Sequence, residues 1–283
     1  MEKELAIVTG ADGGMGQVIT TALAKKGFPL IMACLDPVKA FPICQRICQE
    51  SGNNRIEVRS LDLASLASVY AFTEQLLAEG HPIGRLINNA GILTTPVRKT
   101  EEGLETLVSV NYVGPYLLTR RLTPLMSSGC RIINTVSCTY AIGKIETDFF
   151  QKGKNGSFFR IPVYANTKLA LLLFTQEMAE RYKDKKIEVY ASDPGIVSTN
   201  MITMNAWFDP LTDLLFRPFI KTAAQGAATA IFLALSENTE KKSGGCYANC
   251  KPVKLAARIR KHPLQKKIWE DTERLLNSFN YTL

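Results

Sequence analysis

The chain predicts a doubly wound α/β domain with a mostly parallel sheet of about seven strands. Three observations carry that expectation. Short apolar runs alternate with longer amphipathic ones along almost all of the 283 residues, the rhythm of strands joined through helices into a parallel sheet. The first apolar run ends in a glycine-rich turn, Gly10-Ala11-Asp12-Gly13-Gly14-Met15-Gly16. No repeat, low-complexity tract or linker-like shift divides the sequence, so a single domain over 1–283 is expected.

Taken in order, the short apolar runs place strands at Leu5–Thr9, Leu30–Cys34, Ile56–Ser60, Arg85–Asn88, Arg131–Val136, Ile187–Ser192 and Gly245–Ala248. The amphipathic runs between them place helices over 15–26, 37–51, 65–79, 102–126, 163–183 and 222–236. Asp193-Pro194-Gly195 follows the sixth strand, where proline and glycine stop regular structure. Two stretches fall outside the alternation, 139–162 and 201–220. Segments inserted at the ends of a sheet are the usual place for substrate loops.

Composition bounds the function. An apolar share of 46% and a charged share of 21% suit a soluble globular protein. The strand beginning at Leu5 leaves little room for a leader, and no apolar run reaches the ~18 residues of a membrane span; a cytoplasmic location is expected. The net charge is +8. Its excess lies in the basic C-terminal segment 241–283, with ten Lys and Arg against three acids. That segment is either a solvated face or a surface for an anionic partner such as a membrane. No recognition module accompanies the charge, so nucleic acid is not expected. The seven cysteines include the pairs Cys44/Cys48 and Cys246/Cys250, spaced by four, unlike zinc knuckles. No metal is expected. The two histidines, His81 and His262, each precede a proline, which gives little support to a histidine-dependent triad.

Two motifs point to chemistry. Gly10, Gly14 and Gly16 stand between the first strand and the first helix. Glycines there let the backbone approach a pyrophosphate, and the helix N-terminus offers it free N–H groups. Further on, Tyr164 and Lys168 are four apart, ahead of Leu169-Ala170-Leu171-Leu172-Leu173-Phe174. On a helix they share a face. A fixed ammonium beside a phenol stabilises the phenolate and would make it a usable acid/base. The same spacing also fits a packed ring beside a solvated amine.

With Asn88-Asn89-Ala90-Gly91 and Asp193-Pro194-Gly195 added, the chain resembles the short-chain dehydrogenase/reductase family over essentially its whole length. Within that family it is most similar to the retinol-dehydrogenase-like branch, through Lys168-Leu-Ala-Leu-Leu-Leu-Phe-Thr-Gln-Glu-Met and Lys267-Ile268-Trp269. The resemblance implies a Rossmann-type domain that binds NAD or NADP and interconverts a carbonyl and an alcohol. It implies a catalytic set of Asn111, Ser137, Tyr164 and Lys168. Asn111 would bend its helix and hold a water linked to the lysine. Ser137 would fix the substrate oxygen, Tyr164 would exchange its proton, and Lys168 would lower the Tyr164 pKa and bind the nicotinamide ribose. It further implies cofactor contacts from Gly10, Asp12, Gly13, Gly14, Met15 and Gly16, from Asp62 and Leu63 at the adenine, and from Asn89, Ala90 and Gly91 at its ribose. Pro194, Gly195, Val197 and Thr199 would border the nicotinamide. At the end of strand two the family places an Asp for NAD or, one residue later, an Arg for NADP. Cys34 and Leu35 stand there instead, followed by Asp36. An Asp can bond a ribose diol and repels a phosphate; Asp12 points the same way, and Lys39 is the cation that could oppose them.

Twenty-seven positions separate Ser137 from Tyr164, a long connection for the family and by loop-length priors. With Trp207, Phe208, Leu214, Leu215 and Phe216 it would roof the site and favour a bulky apolar substrate; the same residues could simply pack. Two other readings are a nucleotide-binding regulatory protein with little turnover and a membrane-surface protein. A homodimer or homotetramer is expected by resemblance.

Overall fold

The computed structural model describes residues 3–93, 97–146, 149–150, 157–197, 221–237 and 242–283. Eight strands form one sheet in the order β3-β2-β1-β4-β5-β6-β7-β8. They are β1 (Leu5–Thr9), β2 (Leu30–Cys34), β3 (Ile56–Ser60), β4 (Ile83–Asn88), β5 (Met126–Thr135), β6 (Glu188–Asp193), β7 (Cys246–Ala248) and β8 (Lys251–Pro252). All pair in parallel except β7 with β8. The expected seven strands are thus present. The eighth is a two-residue antiparallel edge that the turn at Asn249 and Cys250 folds back, both residues at positive φ.

The sheet order runs outward in both directions from β1 and β4. The connections leaving those two strands go to opposite sides, and a crevice opens between their C-terminal ends. Helices α1 (Gly14–Lys25), α2 (Pro37–Ser51) and α7 (Ala223–Leu235) cover one face. Helices α3 (Leu66–Glu79), α5 (Gly114–Leu122) and α6 (Ser157–Arg181) cover the other. Strand β2 is buried along its whole length, as a central parallel strand must be.

One helix expected over 102–126 is shorter and divided. It consists of α4 (Thr106–Val108), a π-helical turn over Ser109–Val113, and α5. Gly114 sits under that turn, where a Cβ would come within 2.7 Å of the Leu63 carbonyl oxygen. The helix expected from 163 begins at Ser157 and carries Pro162 inside it. Two helices not anticipated, α8 (Ala257–Arg260) and α9 (Gln265–Ser278), end the chain. Trp269 of α9 is buried against Tyr116 of α5 and Phe174 of α6. Much of the basic C-terminal segment is therefore an amphipathic cover for the α5–α6 face, with its cations outward. No helix among the described residues is long and apolar enough to cross a membrane.

Candidate active site

The glycine turn folds as its residue types dictate. Gly10 takes φ +59, and a side chain there would press on Ala90 at 3.1 Å. A Cβ at Gly16 would collide with the Gly10 carbonyl oxygen. The hydroxyl of Thr9 accepts hydrogen bonds from the Asn89 and Ala90 N–H groups, both 3.0 Å, and Asn89 Nδ2 donates to the Thr9 carbonyl at 3.0 Å. These bonds lock the turn to the end of β4. Helix α1 starts at Gly14 with no side chain capping it, so its first N–H groups face the crevice.

The crevice holds about 720 Å³ and is lined by Gly10, Asp12, Gly13, Gly14, Met15 and Gly16, by Leu35, by Asp62 and Leu63, and by Asn89, Ala90 and Gly91. Each of these was an expected cofactor residue. Thr106 and Val110 also line it; they are four apart, and that helical pairing was the one signal available for them. An uncapped helix end, glycines that no Cβ could replace and this volume fit a dinucleotide.

Asp36 departs from expectation, since it does not line the crevice. Its Oδ1 caps α2, accepting from Val38 N at 3.1 Å and Lys39 N at 3.2 Å, and its other oxygen pairs with Lys39 Nζ at 3.0 Å. Those bonds hold its pKa below the ordinary carboxylate value. Lys39 is engaged by the same pair. Beneath the turn, burial and Asp12 push the Cys34 thiol up to about 12, so it is inert at neutral pH.

The four expected catalytic residues converge at the β4–β5 end of the crevice. Lys168 is buried, and its Nζ donates to the Thr135 carbonyl at 2.9 Å. The position of a Cβ on Gly91 lies 3.4 Å from that nitrogen and 3.2 Å from Asn111 Oδ1. The Lys168 ammonium stands 5.4 Å from the centre of the Tyr164 ring, and the Tyr164 phenol lies near Ser137. Asn111 lies in the π-helical turn, as its expected bend requires. Its Oδ1 accepts from Ile92 N at 2.8 Å and its Nδ2 donates to Ile92 O at 2.9 Å, so it clamps the irregular segment past Gly91.

The electrostatics differ from the simplest expectation. Burial pushes Tyr164 up to about 12, opposed by the nearby Ser137 hydroxyl. Burial lowers Lys168 to about 8, opposed by Asp193. The ammonium is spent on the Thr135 carbonyl and lies beside the ring face rather than at the phenol oxygen. In this state Lys168 therefore does not set the phenol low.

Beyond β6, Pro194 and Gly195 meet Lys221, whose Nζ donates to the Pro194 carbonyl at 2.9 Å. Val197 bridges to Lys221 in parallel. A Cβ on Gly226 of α7 would lie 2.6 Å from Val197 and 2.9 Å from Met15; this glycine thus joins the segment after β6 to the glycine turn. Thr199, and Trp207, Phe208, Leu214, Leu215 and Phe216 of the second loop, lie outside the described residues. Of the first loop, residues Cys138–Ile142 form a 3₁₀ turn, whose Ala141 carbonyl accepts from Arg258 of α8 at 2.6 Å. Sequence reasoning also missed a buried ion pair, Arg160 to Glu105 at 2.6 Å, which ties the first turns of α6 to the residue before α4. Among the described residues no three His, Cys, Asp or Glu stand together as a metal site.

Residues 4–207 match the model of the short chain dehydrogenase family. Retinol dehydrogenase 12 of Mus musculus is 35% identical over 275 residues, covering 96% of this chain and 86% of its own. An uncharacterized protein from Mycobacterium paratuberculosis superposes with a TM-score of 0.77 at 25% identity, over 97% of this chain and 93% of that one. A blue fluorescent protein from a metagenomic library, solved with NADPH, gives a TM-score of 0.68 at 25% identity, over 87% and 95%.

Proposed function

The chain belongs to the short-chain dehydrogenase family, and from that premise we propose that it interconverts an alcohol and a carbonyl on a bulky, apolar substrate, with Tyr164 as acid/base. When bound, NAD or NADP supplies or accepts the hydride. The glycine turn and the α1 N-terminus would hold its pyrophosphate, Asp62 and Leu63 its adenine end, and Lys168 its nicotinamide ribose. Ser137 donates to the substrate oxygen, and Tyr164 gives that oxygen a proton in reduction or takes it in oxidation.

The observation that supports this reading is Tyr164 held near Ser137, with its ring 5.4 Å from the buried Lys168 ammonium and beside the Gly91 wall of the crevice. The apolar side chains Ile142 and Ile161, exposed on the turns next to Ser137 and Tyr164, favour an apolar substrate. So does the named activity of the mouse relative, since retinol is a bulky apolar alcohol. Replacement Tyr164→Phe is expected to lower turnover of a cofactor-dependent carbonyl panel by about 10²–10⁴-fold while NADH or NADPH fluorescence still reports binding. Undiminished turnover would end the assignment.

The ribose end favours NAD over NADP. Asp12 lines the crevice, Leu35 offers no charge, and the one nearby lysine is paired to Asp36. A 2′-phosphate there would meet the Asp12 carboxylate, while the Arg46 guanidinium is engaged by Gln17 at 2.5 Å and Glu50 at 3.8 Å. Fluorescence titration is expected to show tighter binding of NADH; a preference for NADPH overturns the charge argument. The family resemblance also supports a homodimer or homotetramer, which light scattering checks.

A further inference from the structure

Asp193 ends β6 with 6% of its surface exposed. Side chains alternate along a strand. Val189 and Ala191 join the core under α6, whereas Tyr190 joins the opposite one. Asp193 therefore falls on the α6 side. Lys168 bonds the Thr135 carbonyl, and Thr135 pairs in register with Ser192, the residue before Asp193. The Gly195 N–H donates to Asp193 Oδ1 at 2.9 Å, which fixes the carboxylate at this point. The ionisable groups near enough to feel its charge are Lys168 and Tyr164 from α6, Tyr140 from the 3₁₀ turn and Cys246 from β7. Lys221 reaches the adjacent Pro194 carbonyl, and Cys138 is near Tyr164.

We propose that Asp193 is a charge-setting, positioning residue of this site: its buried carboxylate keeps Lys168 an ammonium and Tyr164 a neutral phenol, and so sets the pH range over which the pair exchanges protons. An anion favours a neighbouring cation and disfavours a neighbouring phenolate. Both effects run the same way here. Asp193 raises Lys168 against the lowering by burial, and it raises Tyr164 further. The kinetic consequence rests on the hydride-transfer reading, whereas the ionisation itself does not.

The test titrates the full chain without cofactor, using NMR of isotope-labelled lysine side chains, with Lys168→Met to assign the signal. In the wild type the Lys168 midpoint is expected near about 8. Asp193→Asn keeps an acceptor for Gly195 and removes the charge; the midpoint should fall by roughly one pH unit. Asp193→Ser should do the same, and circular dichroism identifies whichever variant is folded. An unmoved midpoint in a folded variant overturns the proposal. With substrate and cofactor, the pH profiles of oxidation and reduction should both shift to lower pH in Asp193→Asn. A shifted Lys168 with no turnover in any variant leaves the proposal standing and removes the hydride-transfer reading. Normal turnover with profile and midpoint both unmoved removes the proposal alone.

Discussion

Lys168 is held in the fold as a buried amine, and the consequence reaches stability as well as chemistry. Its pKa falls from 10.5 to about 8. Between those values the unfolded chain binds a proton that the folded chain does not, so this group adds stability as pH rises through that window. Urea denaturation of wild type against Lys168→Met should show the wild type gaining, relative to the variant, on the order of 3 kcal/mol across it. No relative gain would mean that the ammonium is solvated. The glycines of the turn differ just as sharply from one another. Gly16→Ala forces a Cβ onto the Gly10 carbonyl, whereas one at Gly14 meets only Ala223 at 3.5 Å. Fluorescence titration should therefore find nucleotide binding lost in Gly16→Ala and kept in Gly14→Ala. The sequence motif counts these two glycines alike, and only the backbone path separates them.

At the scale of elements, α6 is the part that carries the site. Its apolar run packs on the sheet, and its first turns are pinned by Arg160 to Glu105, both 1% exposed. Glu105 immediately precedes Thr106, which lines the crevice. The ion pair therefore links the crevice wall to the turn before Tyr164. Glu105→Gln takes the carboxylate out of this buried pair and should cost about 3–5 kcal/mol by chemical denaturation, while Glu105→Leu with Arg160→Met should cost less than either single change. A single change costing nothing would mean the pair is solvated. The strands and the long helices were legible because their apolar periodicity is local. The family resemblance implied a bend at Asn111, whereas its π-helical form, with Gly114 packed on the Leu63 carbonyl and Asn111 clamping Ile92, depends on neighbours distant in sequence. Asp36 is spent locally, capping α2 through Val38 and Lys39.

For the whole molecule, the C-terminal segment gains a structural role. Its charge left a solvated face and an anionic partner both open; its structure packs α9 over α5 and α6 with the cations outward. Trp269 is sandwiched with Arg120 and Arg181, at 4.5 and 4.6 Å from its ring, and Tyr112 bonds Thr272 at 2.9 Å. Trp269→Ala should destabilise the protein by about 3–5 kcal/mol. Removal of residues 257–283 should expose that apolar face and drive association in light scattering; a soluble, unchanged species would contradict the cover. Apart from Asn111 and Ser137, which the family resemblance implied, the sequence alone determined the layering, the glycine turn and the Tyr164–Lys168 pair. Those follow from local periodicity, backbone permissiveness and fixed spacing along the chain. Tertiary structure decided which carboxylate acts on Lys168 and what covers the α5–α6 face. Each of those depends on burial and on neighbours distant in sequence, and a buried charge answers to its surroundings more than to its place in a motif.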